Sequence, residues 1–71
     1  MNFVYDAETD QMYIELLPGP SVESEEIAEG FVVDFDAEGR VVGLDIEWAS
    51  KKIDMSKMDL TIHPLPQSKV A

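Results

Sequence analysis

The chain has 71 residues, a formal net charge of −10 from 15 acidic and 5 basic side chains, and no cysteine. One domain is all that this length allows, and there is no disulfide, thiolate zinc site or nucleophilic thiol to staple so small a core, which makes self-association the remaining route to stability. Apolar residues make up 45% of the chain, which argues against disorder, while short apolar runs and the lack of a basic leader at 1–6 exclude a membrane span and a signal peptide, so a cytoplasmic protein is expected.

Phe3-Val4-Tyr5 and Met12-Tyr13-Ile14-Glu15-Leu16 are β-prone runs separated by the polar stretch 6–11, and together they predict a hairpin. In the second run Met12, Ile14 and Leu16 share one face, the period-2 pattern of a half-buried strand. Pro18-Gly19-Pro20 breaks the chain, and the acidic stretch 21–27 reads as an edge strand, whose charge discourages edge-to-edge aggregation. Phe31 to Phe35 and Val41 to Trp48 predict a second hairpin. Its turn, Asp36-Ala37-Glu38-Gly39, should be a type I turn followed by a left-handed glycine, with Asp36 facing Arg40.

Unbroken alternation through that hairpin sets Phe35 opposite Val41 and Val33 opposite Gly43. One face then carries Phe31, Val33, Phe35 and Val41, the other Val32, Val42, Leu44, Ile46 and Trp48, so both faces need a cover. Ser50 is a suitable N-cap for a helix of one or two turns near 50–57. Met58 to His63 alternates again and suggests a last strand, before Pro64 and Pro66 leave a flexible tail over 64–71. The expected fold is α+β, mainly β: a single domain over 1–63, built as a small antiparallel β-meander of four to five strands with one short C-terminal helix.

Tyr5-Asp6, Asp10-x-x-Tyr13-Ile14 and then Val33-Asp34-x-Asp36-x-x-Gly39-x-x-x-Gly43-x-x-Ile46-x-x-Ala49-Ser50 form a pattern that resembles a family of short prokaryotic proteins, domain of unknown function 2283 (DUF2283). The likeness runs from about Phe3 to Ser50 and implies a small β-meander with a terminal helix and no assigned activity or site residue. Members of such families often sit in operons beside small basic proteins, some toxin-like, which implies a partner role for an acidic chain. The chain departs from the family pattern in carrying Asp45 and Trp48 where an acid, often glutamate, and an aliphatic residue are commoner, and in its longer tail.

The charge is uneven: residues 1–47 hold thirteen acids against Arg40 alone, whereas 48–71 hold four lysines against Asp54 and Asp59. Such a body repels phosphate backbones and excludes direct nucleic-acid binding. Asp34, Asp36, Glu38 and Asp45, with Gly39 at the sixth position, echo the oxygen spacing of a calcium loop. Flanking strands instead of helices, and an aspartate where a bidentate glutamate belongs, favour a structural turn with an Asp36–Arg40 pair. No nucleophile–histidine–acid set or phosphate loop is present, and so small a domain has no room for a substrate pocket, so no catalysis and no cofactor are expected.

The reading that remains is a non-enzymatic interaction module, antitoxin-like or regulatory, with a carboxylate-rich divalent-metal binder as the alternative. Phe31, Val33, Phe35 and Trp48 are the expected interface residues of a homodimer. Glu23, Glu25 and Glu26, on the edge strand, are the expected recognition residues for a basic protein.

Overall fold

The computed structural model describes residues 1–64. Five strands and one turn of helix follow in order: β1 (Asn2–Asp6), β2 (Gln11–Glu15), β3 (Glu23–Ala28), β4 (Phe31–Phe35), β5 (Val41–Glu47) and α1 (Ala49–Lys52). The strands form one antiparallel sheet in the order β1-β2-β5-β4-β3. The expected fold class is what is found. The two hairpins are joined through β2 and β5, so the sequence break at Pro18-Gly19-Pro20 lets the chain leave β2 and begin again at the far edge. Of the residues assigned to the tail, 65–71 lie outside the described residues.

The turn between β4 and β5 has the expected form. Gly39 sits at φ 83°, its N–H donates to the Asp36 carbonyl at 3.0 Å, and the Asp36 N–H donates to the Arg40 carbonyl at 2.9 Å. A Cβ at that φ would strain the backbone, so glycine closes this turn at the least cost.

The strand register differs from unbroken alternation by one residue. Phe35 pairs with Val41 as expected, but Asp34 pairs with Gly43 and Val33 with Leu44, so Val41 and Val42 together oppose Phe35 in a β-bulge. One inserted residue returns every later side chain of β5 to the opposite face. Phe31, Val33 and Phe35 therefore share a face with Leu44 and Ile46, joined from β2 by Met12 and Ile14 and from β1 by Phe3 and Tyr5. This overturns the expectation of two apolar faces. The sheet has one apolar face and one polar face.

α1 covers one end of the apolar face. Met12, Ile46 and Ala49 form the buried cluster there, and Ile14, Phe31, Leu44, Ile53 and Met55 pack around it. Lys52 pins the helix down: its Nζ donates to the Glu29 carbonyl at 2.8 Å and lies 5.2 Å from the centre of the Phe31 ring, a cation–π contact worth about 0.5–1 kcal/mol at an exposed site.

The helix is shorter than the expected span near 50–57 and starts before Ser50. Trp48 occupies the N-cap position at φ 57°, ψ 45°, with no side-chain cap, and Ile53 ends the helix in an extended conformation. Residues 58–63 form no strand, and Met58, Leu60 and Ile62 are exposed. Alternation alone does not make a strand: the segment pairs with neither free edge of the sheet, and unpaired backbone stays with water. Among the described residues, no helix is long and apolar enough to cross a membrane.

Candidate functional site

The polar face is built around a gap in β5. Gly43 faces it, and a Cβ there would run into the Tyr13 ring and hydroxyl. The missing side chain lets Tyr13, on β2, lean across β5 toward Asp34 on β4. Burial first, then its hydrogen bond to Asp34 and the charges of Asp34, Glu15 and Asp45, hold the Tyr13 phenol above its ordinary value. Asp34 also accepts from the Ser24 hydroxyl at 2.6 Å, across to β3. Asp45 lies in register between Tyr13 and Val32. Burial, and then the charge of Asp34, push its carboxyl above the usual range.

The four acids of the calcium-like spacing are split between two places. Asp36 is buried in the turn, where Oδ1 accepts from the N–H groups of Glu38 and Arg40 at 3.0 and 2.9 Å and Oδ2 takes the Arg40 Nε at 2.8 Å. The Arg40 backbone bond is the leading cause that holds its carboxyl below the ordinary value. Glu38 belongs to the same turn and is exposed, with Oε1 3.4 Å from Arg40 Nη2, while Asp34 and Asp45 lie on the polar face. Among the described residues, no three histidine, cysteine or acidic side chains are placed to hold a metal ion.

The four residues expected at an interface have different fates. Val33 is 8% exposed and already covered within the chain, and Phe31 and Phe35 are half-buried. Trp48, read from the sequence as closing an apolar strand face, is 60% exposed at the end of β5, where a left-handed backbone is strained for so bulky a residue, by about 1–3 kcal/mol. Phe3, Leu16, Leu17 and Val41 remain exposed away from the helix. The first of these belongs to the apolar face by register, and Val41 does so opposite Phe35.

Glu23, Glu25 and Glu26 lie on β3, which is an edge strand as expected. Glu23 pairs with Phe35 and Glu25 with Val33, so both rim the apolar face. A shallow groove runs between Glu23, Ser24, Glu25, Phe35 and Gly39. Glu26 points to the other face and is already engaged, since its Oε2 accepts from the Gly30 N–H at 2.9 Å and closes the β3–β4 turn.

Sequence reasoning missed the part played by Asp10. It reaches the helix: its carbonyl accepts from the Ala49 N–H at 2.8 Å, and its carboxylate accepts from the Ser50 N–H, the Ser50 hydroxyl and the Tyr5 hydroxyl. Asp6 does act locally, accepting from the Glu8 N–H at 3.0 Å. Residues of the motif thus meet one another: Tyr5 and Asp10 with Ala49 and Ser50, Tyr13 with Gly43 and Asp34, and Asp36 with Gly39.

The model of a family described as protein of unknown function (DUF2283) matches residues 2–50. The chain belongs to that family. The matched DUF2283 stretch takes in all five strands and stops at Ser50, the residue that the Asp10 carboxylate holds. No curated protein and no solved structure matches the chain. For this DUF2283 chain, several motif residues build the clamps and turns of the fold, while Phe3, Leu16, Glu23, Glu25 and Trp48, outside the motif, are exposed.

Proposed function

We propose that the chain is a non-enzymatic protein-interaction module of the cytoplasm, which pairs with a second copy through its apolar face and meets a basic protein, in an antitoxin-like or regulatory role, through its acidic edge. The observation that carries this reading is that exposed apolar side chains on one face of the sheet are rimmed by acids on its β3 edge. The acids are spread over the polar face, the β3 edge and the turns, while Phe3, Leu16, Leu17 and Val41 stay exposed away from the helix.

The second copy is supported by the thinness of the molecule. Its shortest dimension is 19 Å, one sheet with a partial cover, whereas stable domains pack two layers, with sheets about 10 Å apart, around a core. Only Met12, Val33, Val42, Ile46 and Ala49 are buried apolar residues among those described. A facing copy supplies the missing layer, and Glu23 and Glu25 then lie at the rim, where charge remains solvated.

The basic partner is supported by the groove beside Phe35. A lysine or arginine can lay its apolar stem on that ring and set its charge against Glu23 and Glu25. Light scattering over a dilution series tests the dimer: a sharp monomer mass at tens of micromolar, from fully folded chain, refutes it. For the edge, a basic partner recovered by pull-down should associate more slowly with the Glu23→Gln/Glu25→Gln/Glu26→Gln variant, and the difference should shrink as salt rises. Equal rates at low salt would reduce the acidic edge to a solubilising surface.

A further inference from the structure

We infer that Trp48, at the opposite end of β5 from the Phe35 groove, is a further anchor for the basic protein, a platform on which one of its arginines stacks while the charge is taken by Glu47. The inference rests on the partner reading above and names the side chain that the partner must bring.

Trp48 is the only tryptophan of the chain and is 60% exposed. Burial, the ordinary reason for keeping a large aromatic residue, is mostly absent. Its backbone stands at φ 57°, ψ 45°, a conformation that glycine or asparagine takes with far less strain. The fold therefore gains little from the indole and is strained by its place. An outlier that the fold does not need is a fair pointer to recognition.

The surroundings say what would be recognised. A notch beside the indole is lined by Thr9, Gln11, Glu47 and Trp48. It joins a flat π surface to a carboxylate and neutral hydrogen-bonding groups, on a chain of net charge −10. A guanidinium fits both requirements, because it stacks on an aromatic face and bonds a carboxylate through its planar fork; an ammonium is a compact, strongly hydrated charge that does neither as well. Of the two helix cations, Lys52 is held by the Glu29 carbonyl and the Phe31 ring, and Lys51, whose backbone N–H donates to the Trp48 carbonyl at 3.0 Å, lends its charge to Asp10.

The test uses the full chain with labelled hexa-arginine and hexa-lysine peptides at low salt. Because Trp48 is the only tryptophan, its emission reports the site directly. The expected result is an emission change on adding hexa-arginine that exceeds the change with hexa-lysine, and an affinity for hexa-arginine weakened about fivefold in Trp48→Gly, the loss expected for an exposed cation–π contact. Glu47→Gln should also weaken it, and Trp48→Gly should melt a few degrees above the parent. Trp48→Asn, which tolerates the same backbone, should bind as poorly as Trp48→Gly.

If Trp48→Gly binds hexa-arginine as tightly as the parent and the parent's emission does not move, the anchor is refuted while the acidic-edge reading stands. Failure of the parent to bind either peptide overturns both. Melting of Trp48→Gly and Trp48→Asn below the parent would show that the indole serves the fold, and would also overturn the inference.

Discussion

The Asp10 carboxylate accepts both the backbone N–H of Ser50, at 3.0 Å, and the Ser50 hydroxyl, at 2.8 Å, from forty residues further along the chain. With the Tyr5 hydroxyl at 2.7 Å, one side chain ties the first hairpin to the helix. These bonds, Tyr5 first and then Ser50, hold the Asp10 carboxyl below its ordinary 3.8. A depressed folded-state pKa adds stability above the unfolded value, which is lost as pH falls through the folded one. Asp10→Ala should therefore lower the melting temperature by several degrees at neutral pH, with a difference that narrows below 3.8. Asp10→Asn should lie between the two. Melts at pH 7 and pH 3 check this, and a difference independent of pH would remove the charge from the account.

Asp45 runs the other way. Its folded pKa is raised from 3.8, by burial and then by Asp34, so its ionised form is less comfortable in the folded chain than in the unfolded one. The penalty is present above the folded pKa and vanishes below the unfolded value. Asp45→Asn should raise the melting temperature at neutral pH, and the gain should disappear on acidification below 3.8. A variant that melts lower at pH 7 would mean that the carboxylate makes a contact the amide cannot replace.

Gly43→Ala should dislodge Tyr13, because the new methyl group takes the space of its ring. The expected loss is about 1 kcal/mol, the central value for point substitutions. In a Tyr5→Phe background the remaining phenol, now more exposed, should titrate closer to its ordinary 10.0. Ultraviolet titration reads this directly, and an unchanged midpoint would show that Tyr13 does not depend on the gap.

Calcium should leave the melting temperature unchanged. Both Asp36 oxygens are engaged by Glu38 and Arg40, and Asp34 and Asp45 lie away from them on the polar face. A ligand at a hundredfold excess over its Kd adds about 2.7 kcal/mol, enough to raise the melting point of so small a domain by more than ten degrees. A rise of that order, abolished by Asp34→Asn, would show that these acids hold a cation.

What could be read from the residues was local. Gly39 and Asp36 announce their turn because a left-handed position and an amide-capping carboxylate each have a chemical signature within four residues. The acidic edge was legible in the same way, from the composition of 21–27. The bulge at Val42 was not, since Val41 and Val42 are alike and nothing marks which one is the extra residue; with it went the sidedness of the sheet. Asp10 and Ser50 are ordinary turn and cap residues until the fold brings them together. Trp48 misled for the opposite reason, because a bulky aromatic residue at the end of an apolar run is the last place where a left-handed backbone is expected.

The strand order has a consequence for how the chain reaches this state. β1 pairs with β2, and β3 with β4 and β4 with β5, each across a short connection, but β2 must wait for β5, which begins only at Val41. Closing that wide loop should be the slow step, because its entropy is lost before any contact rewards it. The two hairpin units should form first, and the seam between them, sealed by the Asp10 clamp, should close last. Native-state hydrogen exchange should find the same seam opening first: the amides that pair β2 with β5, Ile14 with Leu44 among them, should exchange ahead of those between β4 and β5.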